Sequence, residues 1–430
     1  MKKSSTLLEK GSSILNDKGI LGYICPNKFI NADFGSGIRK FLIEHNSLKK
    51  FISFDKEQIF ENATTYTSLV FLSSNNKTFD YYEYNDDYIS PKEFLNNIEL
   101  IQSSKYDISK LDNNAWKLLP QNIKKILDSM ENNSVKLGEI FENIFQGIVT
   151  GIDDIYFLNI VEEHDNIVKA YSTKLEDYIE IEKNILKPIL KGEDVTRYSE
   201  PTPQYYCIYP YLNIEGKTKI MEEDYLKSNY PLAYSYLKEF KSELVKLRKK
   251  FKTNVKYWYS CHRPRNMALF EMDKILTPEI SFGCNMTFSN TSFFHNTKVY
   301  SLVIPENVKE DKFYWLGLFN SKLLWWFISN TGYVLRGGYF SFSTKYLKEF
   351  PIPVLNWDDK MHVEIHDKIS TIAKDQLELY ASLNNSKVPN EINFLKKKIE
   401  FNDDTINKLV YELYNLTDEE IVIIDNENNL

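Results

Sequence analysis

GILGYICPNKFINADFGSGIRKFLIEH, residues 19–45, decides how the front of this chain is read. It runs as an apolar strand, a polar loop, a glycine pair at Gly35 and Gly37, and an amphipathic helix with Ile38, Phe41 and Leu42 on one face. A further apolar run, LKKFISFD, ends on Asp55. A nucleotide-binding fold sets a tight glycine turn directly after its first strand, so that N–H groups at the helix start face a phosphate, and it places a ribose-binding acid about twenty residues on. Asp55 has that spacing, but the eight residues NKFINADF separate Pro26 from Gly35, so the turn is not tight. The next strands also arrive without a crossover helix. Only KEQIFENATTY links FISF to SLVFL, which suits an antiparallel return. The expectation is a loop and helix start at the edge of a sheet, with a nucleotide-binding FGSG turn as the alternative.

Outward from that stretch, ILGYI, KKFISF, TSLVFLS and FDYYEY read as strands of a first region, residues 1–105. Residues 106–135 read as a connector with a short amphipathic helix. Residues 136–355 are aromatic-rich and β-containing, with one long inserted helix opening at Pro231 and running to Lys252. Its apolar stripe is Ala233, Leu237, Phe240, Leu244, Leu247 and Phe251. Residues 356–430 read as helical. Ile365, Ile369, Ile372 and Leu377 mark one helix, and Ile392, Ile399, Ile406 and Leu413, spaced by seven, mark an antiparallel partner. Thr417 with Glu420 is a capping box for a last short helix. The fold class is α+β and multidomain.

The 430 residues are enough for two or three domains with a substantial core. The four cysteines (Cys25, Cys207, Cys261, Cys284) form no CxxC pair, which favours a reducing cytoplasm over a disulfide framework or a cysteine-rich metal site. No apolar run approaches the roughly 18 residues of a membrane span, and MKKSSTLLEKGSS lacks the apolar core of a signal peptide, so a cytoplasmic protein with no membrane partner is expected. The formal charge is −7, yet Lys238–Arg265 holds ten basic and two acidic residues. Charge segregated in this way makes a local field that the total conceals.

Several segments together resemble one family. GILGYICPNKFINADFGSGIRKFL and QIFENATTYTSLVFLSS resemble the part that follows the catalytic motif in Eco57I-like (type IIG restriction-modification) adenine-N6 DNA methyltransferases. LGEIFENIFQGIVTGIDDIYFL, LKPILKGEDVTRY, YWYSCHRPRN, KILTPEISF, LGLFNSKLLWWFI and YLKEFPIP then follow in the order of a TaqI-like C-terminal specificity domain. The resemblance implies a partial methyltransferase sheet over 1–105, a β-rich target-recognition domain over 136–355, and a function in sequence-specific recognition of double-stranded DNA. It implies S-adenosylmethionine for the complete enzyme. No Asn-Pro-Pro-Tyr or acidic variant occurs in this sequence, although that motif holds the flipped adenine. The catalytic half is therefore expected on another polypeptide, this chain alone is expected to be inactive, and no catalytic or cofactor residue is assigned. The alternatives are a self-sufficient enzyme that binds S-adenosylmethionine or a dinucleotide at FGSG, and an inactive truncated remnant.

Within that frame, Lys241, Arg248, Lys249 and Lys252 lie opposite the stripe of the Pro231 helix and are expected to face phosphates; a solvated helix face is the bland reading. Lys256, Arg263, Arg265 and Asn266 of KYWYSCHRPRN combine a cation with groups that read guanine and adenine, unless the aromatics are core and only the arginines are wet. Gln146 and Thr150 stand between glycines in FQGIVTGID, and Arg336 precedes Gly337 and Gly338, so both loops suit close approach to a backbone. His362 and His366 in HVEIH read as a solvated helix face, not a metal clip, and Cys261 beside His262 lacks an orienting acid for a nucleophile.

Overall fold

The computed structural model describes residues 2–54, 57–60, 65–84 and 90–428. Asp55, the expected ribose-binding acid, lies outside the described residues. The chain is a mixed α+β protein that divides into two compact units, residues 1–132 and 133–430.

The first unit is built on a five-stranded sheet: β1 (Leu21–Pro26), β2 (Leu48–Ser53), β3 (Thr67–Leu72), β4 (Thr78–Glu83) and β5 (Ser104–Asp107), in the order β1-β3-β2-β4-β5. β3 is antiparallel to both β1 and β2, which is the short return that the missing crossover helix predicts, while β2 and β4 are parallel. The alternation of each strand puts Phe51, Val70, Leu72 and Phe79 into the core, where they meet Ile38 and Leu42 of the Ser36–Glu44 helix. β5 straddles the boundary read from sequence between the first region, ending at 105, and the connector, beginning at 106.

Of the glycine pair, Gly35 is used by its own chain. A Cβ on Gly35 would lie 2.0 Å from the Phe29 carbonyl oxygen, so only glycine fits. Arg39, 1% exposed, donates to the carbonyls of Phe29, Ile30, Ala32 and Asn113 and so locks the loop NKFINADF in place. Burial pulls this guanidinium's pKa down, with Asp33 and Asp112 acting in the opposite direction. At Gly35 the space that a ligand backbone would approach is taken by the Phe29 carbonyl and the Arg39 guanidinium, whereas Gly37 faces open space.

The second unit holds a six-stranded sheet, in the order Asp177–Glu182, Ile167–Ser172, Phe157–His164, Tyr205–Ile208, Leu186–Leu190, Phe294–His295. A four-stranded sheet orders Thr287–Ser289, Lys274–Pro278, Val299–Val303 and Ile144–Gln146. The helix expected over Pro231–Lys252 is two helices, Pro231–Glu239 and Lys241–Lys250. At Phe240 the backbone tightens to a three-residue bond, Phe240 N–H to Leu237 O at 3.1 Å, and the Phe240 ring packs edge-on against Tyr236. Ala233, Leu237 and Leu244 of the stripe are buried, but Phe251 at its end is 38% exposed.

At the C-terminal end, Lys360–Asn385 and Pro389–Leu413 are joined by three residues and pack on each other through Leu379, Leu395 and Ile399. Ile365, Ile369, Ile399, Ile406 and Leu413 are buried as their spacing predicts. The capping box is present: Thr417 N–H donates to the Glu420 carboxylate at 2.9 Å and Glu420 N–H to Thr417 Oγ at 3.3 Å. His366 is not on a solvated face. It is buried, its Nε2 accepting the Asp311 N–H at 3.0 Å. Among the described residues no helix is long and apolar enough to cross a membrane, and no group of His, Cys, Asp or Glu is placed to hold a metal.

Candidate nucleic-acid interface

The segment FQGIVTG is held against two others. Gln146 pairs with Tyr300 at the end of its strand. Gly147 then passes so near the next chain that a Cβ would lie 1.9 Å from the His295 carbonyl oxygen, an approach only glycine allows. Ile148 N–H donates to His295 O at 2.8 Å, and Val149 and Arg263 form an antiparallel bridge with bonds of 3.1 and 2.9 Å. Two segments far apart in sequence, FQGIVTG and SCHRPRN, thus lie side by side.

The rear of SCHRPRN is tied to the core by tyrosines. Tyr156 OH donates to Tyr259 O at 3.0 Å, Tyr211 OH to Cys261 O at 3.5 Å and Tyr209 OH to Arg265 O at 3.1 Å. Burial pushes all three phenols up, so they stay neutral donors. Trp258 and Tyr259 are themselves buried. The front of the segment carries Arg263, which is exposed and pairs with no carboxylate among the described residues. Arg265 is half-buried, with Nε donating to the Gln146 carbonyl at 2.6 Å. Burial and the nearby Arg263 lower its pKa.

The basic window is part wall and part interior. Lys241 lies 3.6 Å from Glu223 and over the Trp258 ring, and Lys256 lies 2.9 Å from Glu222. The Lys256 bond holds Glu222 below the usual carboxylate range. These two lysines are neutralised by acids of a neighbouring helix, Glu223–Asn229, and its flank. Lys249, Lys250 and Lys252 are exposed and pair with no carboxylate among the described residues. The free positive charge is therefore densest at the C-terminal turn of the Lys241–Lys250 helix, with the exposed Lys246 one turn before it.

Two expected contacts are corrected by burial. Arg248 was expected to point outward but is 0% exposed: Nη1 donates to Ser260 Oγ at 3.2 Å and Nη2 to Thr150 O at 3.3 Å. The kink at Phe240 and the docking of FQGIVTG bring this face of the helix inward. Thr150 is also 0% exposed, its hydroxyl donating to the Asp153 carboxylate. Gln146 is half-buried and gives its amide N–H to Thr297 O at 2.8 Å. Asn266 is exposed, but its side-chain oxygen caps the Met267–Glu271 helix by accepting Ala268 N–H at 3.2 Å.

Arg336 is exposed at the tip of a loop closed by Leu335 N–H to Tyr339 O at 2.7 Å, with Gly337 and Gly338 at φ +82° and +75°. Beside it stand aromatics that the sequence reading missed. Phe282 and Tyr339 are about half exposed, with ring centres 6.0 Å apart, and Phe282 also meets Trp325 at 5.6 Å. Only the pairing of Ile280–Ser281 with Phe340–Ser341 brings them together, so no local pattern announces them.

Comparison with known proteins places this architecture. Residues 187–352 match the TaqI-like C-terminal specificity domain, and residues 3–60 match the Eco57I restriction-modification methylase model. The chain is a relative of the Eco57I-like restriction-modification methylases. It is 31% identical to the Escherichia coli type II restriction enzyme and methyltransferase RM.Eco57I over 98% of this chain and 44% of that protein. It is 26% identical to the Haemophilus influenzae type II methyltransferase M.HincII over 89% of this chain and 71% of that protein. The chain thus spans under half of the first of these restriction-modification proteins. The Type IIL restriction-modification enzyme MmeI, solved in complex with DNA, superposes with a TM-score of 0.54 at 11% identity, covering 99% of this chain and 51% of MmeI, a likeness of fold.

Proposed function

We propose that this chain is the sequence-reading part of a site-specific adenine-N6 DNA methyltransferase or restriction-modification enzyme that acts on double-stranded DNA. The observation that carries this reading is the Val149–Arg263 bridge, which presents from the stretch matching the TaqI-like specificity domain, residues 187–352, an arginine that pairs with no carboxylate among the described residues. Lys249, Lys250 and Lys252 supply phosphate contacts that release counterions and hold the duplex without reading it. Arg263 and the outer N–H groups of Arg265 read guanine edges. Arg336 enters a groove with Phe282 and Tyr339 flanking it. Lys241, Lys256 and Asn266 contribute less, because each already has a protein partner.

Residues 1–105 correspond in this reading to the last strands of a methyltransferase sheet, and residues 136–355 to the recognition domain. The catalytic Asn-Pro-Pro-Tyr is not in the sequence, so the catalytic half and the S-adenosylmethionine site come from residues outside these 430. The packing of Gly35 against the Phe29 carbonyl and Arg39 supports a cofactor held elsewhere.

Selection from a random duplex library at several salt concentrations tests the proposal. An enriched motif, with affinity falling steeply as salt rises, is the expected result. No enrichment together with a salt slope near zero would overturn it.

A further inference from the structure

We infer that Arg248 is a positioning residue for DNA recognition, locking the lysine-bearing helix end to the Val149–Arg263 bridge so that both are presented in one register; this rests on the DNA-reading function proposed above. Its two halves hold two different things. The Arg248 carbonyl accepts Thr253 N–H at 2.9 Å, and Lys252 N–H donates to Lys249 O at 3.2 Å, the paired bonds of a Schellman turn that fixes Lys252 at φ +55°. The Arg248 guanidinium, meanwhile, holds Thr150 O and Ser260 Oγ, one from each of the bridged segments. Thr150 O also accepts His262 N–H at 3.2 Å, next to Arg263.

Neighbouring residues reinforce the joint. Phe251 packs its ring over His262 with centroids 4.0 Å apart, and Leu247 lies where a Cβ on Gly151 would be, 2.6 Å away. Stability alone does not account for an arginine here. Arg248 is 0% exposed, its Nε finds no partner, and no carboxylate pairs with it among the described residues. A buried cation with only neutral acceptors is costly, and an apolar side chain of similar volume generally stabilises as well or better. What the fork supplies is geometry. Phosphate affinity depends chiefly on how many exposed charges meet the duplex, whereas base readout depends on where the reading groups stand.

The test uses the 430-residue chain and the duplex motif selected by the wild type, with a scrambled duplex as control. Arg248→Lys and Arg248→Met are compared with wild type by fluorescence anisotropy, and folding is checked by circular dichroism and thermal melts. The expected result is scrambled-duplex affinity within about threefold of wild type, an unchanged salt slope, and a specific-to-scrambled ratio reduced about tenfold or more. A folded Arg248→Lys protein with an unchanged ratio overturns the inference, as does an equal loss of affinity for both duplexes. If neither Arg248 variant folds, Ser260→Ala, which removes one of the two fork contacts, decides: a lowered ratio supports the inference and an unchanged ratio overturns it. A wild type that never discriminates between duplexes sinks the DNA-reading proposal instead, so the two failures are distinct.

Discussion

Val149 and Arg263 exchange both backbone hydrogen bonds, at 3.1 and 2.9 Å, so the residue that projects the free arginine is anchored by its main chain and not by its side chain. The guanidinium of Arg263 is left available, and its removal leaves the bridge intact.

Arg263→Ala is accordingly expected to fold and melt as wild type does while losing about 1–3 kcal/mol of binding to the selected duplex and relaxing the motif at one position. Isothermal titration against the selected and single-mismatch duplexes checks this. Retained discrimination at every position would remove Arg263 from the reading face.

Lys252 offers a separation of charge from backbone. Its φ of +55° is a conformation glycine adopts freely, so Lys252→Gly is expected to raise stability by up to about 1 kcal/mol. The same change deletes one phosphate contact and is expected to lower the slope of log affinity against log salt by about 0.9. Urea melts and salt titrations measure the two effects; higher stability with an unaltered slope would show that Lys252 faces water alone.

The glycine pair should respond unequally to alanine. Gly35→Ala forces a methyl against the Phe29 carbonyl, where the Cβ would sit 2.0 Å away, and is expected to cost about 3 kcal/mol or more. Gly37→Ala meets nothing within 4 Å and lies in a helix, so a gain of up to about 1 kcal/mol is expected. Equal effects at the two positions would contradict the packing role given to Gly35.

His295 links stability to acid pH. It is fully buried, and burial lowers its pKa to about 3, with Lys274 and Arg265 adding to the fall and bonds to backbone opposing it. Because the folded state resists the proton that the unfolded chain accepts near pH 6.5, the stability from neutral His295 is complete above about pH 6.5 and is lost as pH falls towards 3. Its ring nitrogen Nε2 meets Ser301 Oγ at 2.6 Å, so His295→Gln keeps a polar partner there. Melts from pH 7 to pH 4 are expected to converge for wild type and variant as the pH drops. A constant gap across that range would refute the linkage.

Local order was legible from the residues themselves. The runs ILGYI, KKFISF, TSLVFLS and FDYYEY overlap β1–β4 to within two residues, the seven-residue spacing of Ile399, Ile406 and Leu413 marks a buried helix face, and Thr417 caps the last helix through Glu420. Each of these depends on neighbours within a turn or a strand, where side-chain periodicity and hydrogen-bonding reach are set by the backbone alone. The order of segments also carried the family resemblance.

Which charges remain free was decided only by the tertiary structure. Lys241 and Lys256 read as phosphate contacts until Glu223 and Glu222 are folded against them, and Arg248 reads as exposed until Thr150 and Ser260 close over it. The same holds for Gly35, whose neighbour is a carbonyl six residues earlier brought back by Arg39, and for Phe282 beside Tyr339. Burial and ion pairing are properties of contacts between distant segments, and a side chain's role follows from the partners that folding supplies. Residue order specified the elements and the kind of domain they build; packing determined which of its cations face solvent.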